Sequence, residues 1–198
     1  MYDELCKIWK RNGIDAFCFE NKEDAADFLC SKLVNRSITF GGCHTVEEMG
    51  LYEKLEKNND VFWHWRNKDY AAKRAAELKG DVYICYANGI AETGEIVNID
   101  GSCNRLSNST YAQDLSIFII GKNKIEPTLE KAIWRARNIA APLNARRQHM
   151  KTPCAYGEMK CHDCSSPDRI CHVMSIIWQK PIPMDQMWVI LINEDLGY

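Results

Sequence analysis

The sequence has 198 residues, 46% of them apolar and 26% charged, with 25 Lys and Arg against 27 Asp and Glu. That composition is globular, and a formal charge of −2 excludes a polybasic nucleic-acid arm or an acidic solvating tail as the governing feature. No apolar run approaches the ~20 residues of a membrane helix, and the opening ten residues mix both charge signs with apolar residues at helical spacing, unlike a secretory leader. A cytoplasmic protein is expected.

The first half alternates two kinds of segment. Residues 14–19 (Ile-Asp-Ala-Phe-Cys-Phe) read as a strand. Ala25, Phe28, Leu29 and Leu33 then mark one face of a helix over 22–34, capped at Asn21. Ser37 to Phe40 is a short strand. Thr45-Val-Glu-Glu48 has the form of a capping box, with Thr45 at the N-cap of a helix reaching about Lys57. Val61 to Trp65 predicts a buried strand, Ala71, Ala75 and Leu78 the next helix face, and Val82 to Tyr86 another strand. Strands alternating with helices across short loops predict an α/β fold, a mainly parallel sheet with helices on both faces.

After Ala87 the pattern changes. Ile90 to Ile99 reads as a hairpin turning at Thr93-Gly94. Leu115 to Ile120 is a strong strand. Leu129, Ile133, Ala136, Ala140 and Leu143 form a helical stripe that Pro142 ends or kinks. The last strands fall near Val173 to Trp178 and Trp188 to Ile192. No repeat or low-complexity linker divides the chain, so residues 1–198 are expected to form a single domain with a cysteine-rich segment over 152–172.

Ten cysteines are the unusual feature. Six are scattered: Cys6, Cys18, Cys30, Cys43, Cys85 and Cys103. Cys18 and Cys85 lie in apolar runs and read as small buried hydrophobes. The other four, Cys154, Cys161, Cys164 and Cys171, are spaced C-x6-C-x2-C-x6-C. A reducing compartment disfavours a disulfide staple. Four thiols around one Cys-x-x-Cys knuckle suit an Fe–S cluster or a Zn ion, with reduced surface thiols or a redox pair as the plainer alternative. The spacing selects neither metal, and His162 and His172 read as exposed loop residues.

Three other places can carry chemistry. In Phe40-Gly-Gly-Cys-His-Thr45 a strand ends, two glycines follow and a helix starts. Gly41, Gly42 and Thr45 could present backbone and hydroxyl donors to a small anion, or simply make a βα turn. Glu92 could serve as catalytic base or nucleophile, and Asp100, Gly101, Asn104 and Arg105 could form a carboxylate or phosphate site or an ordinary turn. From Lys131 to Gly157 there are six basic residues and no acid, leaving 19 basic against 27 acidic residues elsewhere. Such a face could stabilise thiolates or meet RNA or an acidic partner, although thin aromatic interleaving (Trp134, Tyr156) argues against nucleic acid.

Several of these segments resemble one family. Glu92-Thr-Gly-Glu-Ile-Val-Asn-Ile-Asp-Gly-Ser-Cys-Asn-Arg105 resembles the hairpin-and-turn signature of the LUD-domain (lactate-utilization) proteins. Arg137 to Arg146 and Thr152 to Cys171 resemble a branch with a cysteine-rich C-terminal segment. Gly41-Gly42 with Thr45 to Leu51, and the ending Ile192 to Gly197, fit as well. The resemblance implies a ribose-phosphate isomerase or CoA-transferase type of α/β domain. It also implies a place in oxidation of lactate or related organic acids, alongside an iron–sulfur partner protein. On that reading the chain is an accessory or electron-transfer component binding a small anion and a metal or Fe–S centre. The alternative is an enzyme acting on a CoA ester or sugar phosphate, with a structural zinc. Where the family's Asp-Gly-x-Gly-Asn-Arg turn has its second glycine, this chain has Cys103, which narrows any pocket there or adds a thiol to it. Oligomeric state is left open.

Overall fold

The computed structural model of the chain describes residues 2–63, 65–66 and 79–198. The helix face expected at Ala71, Ala75 and Leu78 lies outside the described residues. In chain order the elements of the first half are α1 (Asp3–Arg11), β1 (Asp15–Phe19), α2 (Lys22–Lys32), β2 (Ser37–Phe40), α3 (His44–Glu48), α4 (Leu51–Leu55), β3 (Asp60–Trp63) and β4 (Val82–Cys85). Then come β5 (Gly89–Ala91), β6 (Ile96–Asp100), α5 (Asn104–Ser107), β7 (Leu115–Gly121), β8 (Ile125–Glu126), α6 (Leu129–Arg135), α7 (Ala141–Arg147), α8 (Pro153–Tyr156), β9 (Val173–Ile177) and β10 (Gln186–Ile192). Among the described residues no helix is long and apolar enough to cross a membrane.

The chain, expected to form a single domain, divides into two compact units. The first comprises Met1–Tyr86, Ser107–Asn123 and Gln179–Gly197, the second Ala87–Leu106 and Lys124–Trp178.

The first unit holds a six-stranded sheet in the order β1-β10-β7-β4-β2-β3, every pair parallel. Side chains alternate across a strand. Ile38, Phe40, Val82, Ile84, Ile117, Ile119, Ile190 and Ile192 therefore share a face and bury against Ala25, Ala26 and Leu29 of α2 and Val46, Leu51 and Leu55 of α3 and α4. The alternate set, Tyr83, Cys85, Phe118, Ile120, Val189 and Leu191, is equally inaccessible to solvent. Burial of both sets is why these strands read as near-continuous apolar runs. Asn21 caps α2 as expected, its side chain accepting from Asp24 N at 2.8 Å.

Three expectations need correction here. Thr45 is not the cap of its helix: α3 starts at His44, and the Cys43 sulfur accepts from Val46 N at 3.4 Å, which leaves Thr45 buried inside the first turn. That helix also stops short of Lys57, because Gly50 takes φ +57° and separates α3 from α4. Cys18 is exposed rather than buried. It sits on β1, an edge strand whose outer face is only partly covered.

The second unit carries a smaller mixed sheet in the order β8-β5-β6-β9. β5 and β6 form the expected hairpin, with Gly94 at φ +103° and its N–H donating to Ala91 O at 2.8 Å. Ala91 and Val97 pack on Ala132 and Ala136. The helical stripe begins as α6, widens into a π turn over Ala136–Ala140 and resumes as α7. Pro142, in the first turn of α7, has no N–H to donate, and the widened turn immediately before it lets the helix continue rather than end.

Gly121 ends the central strand β7 where a Cβ would lie 2.6 Å from Leu196 N and 2.8 Å from Glu194 O. Gly121→Ala is therefore expected to lower stability by about 2–3 kcal/mol, read as a lower urea midpoint. Gly50→Ala meets open space and only the cost of positive φ, so it should lose about 1 kcal/mol.

Candidate functional site

The π turn of the second unit orders the start of the cysteine loop. Asn138 Oδ1 accepts from Cys161 N at 3.1 Å, and Arg137 Nη2 donates to Cys161 Sγ at 3.4 Å and to Asp163 Oδ1 at 2.9 Å. Asp163 N adds a second donor to the same sulfur at 3.4 Å. Farther along, Arg169 Nε donates to Cys171 Sγ at 3.2 Å and to Cys171 O at 2.9 Å, while its Nη1 reaches Cys164 O at 2.9 Å. The hydrogen bond to the Cys161 sulfur, and then its charge, pushes the Arg137 guanidinium up from its ordinary value. Cys171 does the same to Arg169. Cys154 pairs differently, its sulfur 3.3 Å from Thr152 Oγ1.

Residues 157–172 contain no helix or strand. They are tied down by Ser166 Oγ donating to Lys151 O at 2.9 Å and by His172 N donating to Asp100 O at 3.0 Å. All four cysteines are half-buried, and His162 and His172 are exposed. A single Zn ion draws four sulfurs to ~2.3 Å from one point. Among the described residues no group of three or more His, Cys, Asp or Glu is gathered to hold a metal ion, so the expected set of Cys154, Cys161, Cys164 and Cys171 is not closed around one.

The turn after β6 lies beside this loop, where a Cβ on Gly101 would come within 2.9 Å of Ile170 O. Asp100 organises the turn, accepting from Ser102 N at 3.2 Å and from Arg105 N at 3.1 Å. Cys103 sits at φ +61°, the left-handed region in which the family's turn has glycine. Arg105 is buried and directed inward. Its Nη1 donates to Asn98 Oδ1 at 2.6 Å and to Asn88 Oδ1 at 3.4 Å, its Nη2 to Ile99 O, and its Nε lies 4.0 Å from Asp100 Oδ2. That arrangement makes Arg105 a pin for the turn, whereas the expectation had it gripping a ligand. Asn104 is half-buried at the start of α5. Glu92 is exposed at the hairpin tip, where its backbone N–H donates to Glu126 O at 2.9 Å.

Gly41, Gly42 and Thr45 belong to the first unit and Arg105 to the second. A Cβ on Gly41 would lie 2.8 Å from the Tyr83 hydroxyl, and one on Gly42 would lie 2.7 Å from Trp65 Nε1. Gly41 O also accepts from Trp63 Nε1 at 3.1 Å. Tyr83 and Trp65 thus crowd the Cβ side of these two glycines.

The basic stretch is largely used inside the fold. Arg135 is buried, its Nη1 on Asn88 O at 2.7 Å and its Nε 3.9 Å from Glu126, and burial pushes its guanidinium down from the usual range. Arg146 Nε donates to Ala155 O at 3.0 Å, and Arg147 is held by Asn144. Sequence reading missed Asn88, Asn98, Asn138 and Arg169. The available signal was weak: Asn98 is a polar residue within an apolar strand, and Arg169 stands two residues before a cysteine.

A chain with a parallel α/β sheet, a smaller four-stranded mixed sheet and a C-terminal cysteine loop is what these elements define. The LUD domain family model matches residues 2–192, and the chain belongs to the LUD-domain family. It is similar to the uncharacterized protein YkgG of Escherichia coli (strain K12), at 30% identity over 106 residues, covering 52% of this chain and 45% of YkgG. The match thus spans about half the length of that curated relative. The crystal structure of a DUF162 family protein from Deinococcus radiodurans aligns over 98% of this chain and 99% of that one, with a TM-score of 0.55 at 11% identity, a likeness of fold.

Two substitutions test this description. Cys103→Gly removes the strain of a side chain at positive φ and is expected to raise stability by about 1 kcal/mol in urea unfolding. Arg105→Ala removes the guanidinium donor from the buried Asn98 side-chain oxygen and from Ile99 O and should cost about 3 kcal/mol. An Arg105→Ala protein of unchanged stability would show that the residue does not pin the turn.

Proposed function

We propose that this LUD-domain protein is an accessory, electron-transferring component of organic-acid oxidation of the lactate type, with Cys154, Cys161, Cys164 and Cys171 holding an Fe–S cluster. The observation that carries this reading is the pairing of Cys161 and Cys171 with guanidinium donors from Arg137 and Arg169. Four thiolates around a cluster make an anionic centre, and cationic hydrogen-bond donors at two of its sulfurs favour it.

Bound there, the cluster would supply one-electron transfer. The chain's own residues have definable parts in this. Arg137 and Arg169 offset negative charge at the sulfurs. Asn138 holds the backbone of Cys161, and Ser166 and Asp168 anchor the loop to Lys151. Half-burial keeps the cysteines near the surface, where a partner iron–sulfur protein could exchange electrons with them. A small-anion site has less support, because Arg105 is engaged within its turn and the flanks of Gly41 and Gly42 are filled. The enzyme reading rests on Glu92, which is exposed at the hairpin tip.

Anaerobic purification followed by metal and sulfide analysis tests the proposal. Iron and acid-labile sulfide in equal amounts, with visible absorption that bleaches on reduction, are the expected result. The absorption should be lost in Cys161→Ser/Cys164→Ser. Stoichiometric zinc without sulfide would make the loop a structural site, and no bound metal would overturn the proposal altogether. In the iron-loaded protein, Arg137→Gln should move the reduction potential to a more negative value, since it removes a positive charge and a hydrogen bond from Cys161.

A further inference from the structure

Helix α1 packs on the first unit through Leu5 and Trp9, both buried. The turn that follows is closely specified: Gly13 N donates to Lys10 O at 3.2 Å, Ile14 N donates to Trp9 O at 2.9 Å, and Gly13 takes φ +75°. Trp9 and Ile14 are fully inaccessible, so the start of β1 is set relative to α1. Cys6, one residue beyond Leu5, and Cys18, near the end of β1, are thereby brought together with their sulfurs 3.2 Å apart. Cys6 is half-buried and Cys18 is exposed, so a small reagent can reach the pair.

We propose that Cys6 and Cys18 form a redox-active dithiol, oxidised reversibly to a disulfide by a low-molecular-weight disulfide such as oxidised glutathione. The pair needs to close by only about 1.1 Å to reach the ~2.05 Å of an S–S bond, a change that side-chain rotation supplies. The fold has already met the entropy of bringing these residues together. This pair is separate from the four cysteines of the C-terminal loop.

The chemistry balances as two exchanges. The Cys6 thiolate attacks one sulfur of oxidised glutathione, breaking its S–S bond and releasing one glutathione thiolate. Cys18 then gives up its proton to solvent and attacks Cys6 Sγ, expelling the second glutathione. The sum is two cysteine thiols and one glutathione disulfide converted to one cystine and two glutathione thiols. In the reduced protein, burial and then the hydrogen bond with Cys6 push the Cys18 thiol up to about 12. Oxidation ties α1 to the edge strand β1 and so guards that edge against fraying.

Incubation of the reduced full-length chain with oxidised glutathione tests the inference without any substitution. The intact mass should fall by two hydrogens, and trypsin should release residues 1–7 disulfide-linked to residues 12–22. The thermal midpoint should rise by about 4 °C and return on addition of dithiothreitol. Cys18→Ser should instead accumulate a stable glutathione adduct on Cys6. A lasting adduct on the unaltered chain, linkage of Cys6 or Cys18 to a different cysteine, or both thiols remaining free would each overturn the proposal.

Discussion

Two buried guanidinium groups set the terms for the second unit. Arg105 is 6% exposed and Arg135 4%, and a charge so far from water must be matched by acceptors or be strongly destabilising. Asn88 serves both. Its side-chain oxygen faces Ile99 N at 2.8 Å and the Arg105 guanidinium at 3.4 Å, while its carbonyl takes Arg135 Nη1 at 2.7 Å. One residue thus joins the β5–β6 hairpin, the turn after it and helix α6. The apolar contacts between that helix and the sheet run through Ala91, Val97, Ala132 and Ala136, with Ile99, Leu129, Ile133 and Ile176 packed against them.

The cysteine loop depends on that junction. Arg137 and Asn138 lie on the π turn that directly continues α6, so whatever fixes α6 also fixes the donors that meet Cys161. The loop has almost no apolar core of its own. It is held by side chain to backbone hydrogen bonds and by exposed pairs such as Arg137–Asp163, a class of contact worth up to ~1 kcal/mol each. The molecule thus combines a rigid, doubly covered sheet in one unit with a lightly held, sulfur-rich loop in the other. Cys103, strained in a position suited to glycine, adds a thiol to the turn beside that loop.

Much of the fold was legible. Period-two and period-3.6 patterns placed α2, β2, β4, β7, β10 and the β5–β6 hairpin, because those elements bury apolar faces and burial leaves a periodic trace. The errors were local and had local causes. Thr45 has the composition of a cap, yet a sulfur two residues earlier took that place, and the acceptor strength of a thiol has no pattern to read. Cys18 sits in an apolar run, but β1 is an edge strand in which no residue is fully buried. Pro142 signalled a break, and the helix absorbed it with a π turn.

The sequence by itself determined the alternation of strands and helices and the concentration of four thiols in one segment, since these rest on composition, spacing and local periodicity, while its motifs resemble the LUD-domain family whose model it matches. Tertiary structure alone decided that Arg105 turns inward, that protein atoms fill the flanks of Gly41 and Gly42, and that Arg137 and Arg169 meet sulfurs. It also decided that Cys6 lies against Cys18. The physical reason is common to all four. Each is a choice between partners supplied by distant parts of the chain or by a turn geometry, and side-chain identity at one position does not encode which partner the fold will bring within hydrogen-bonding distance.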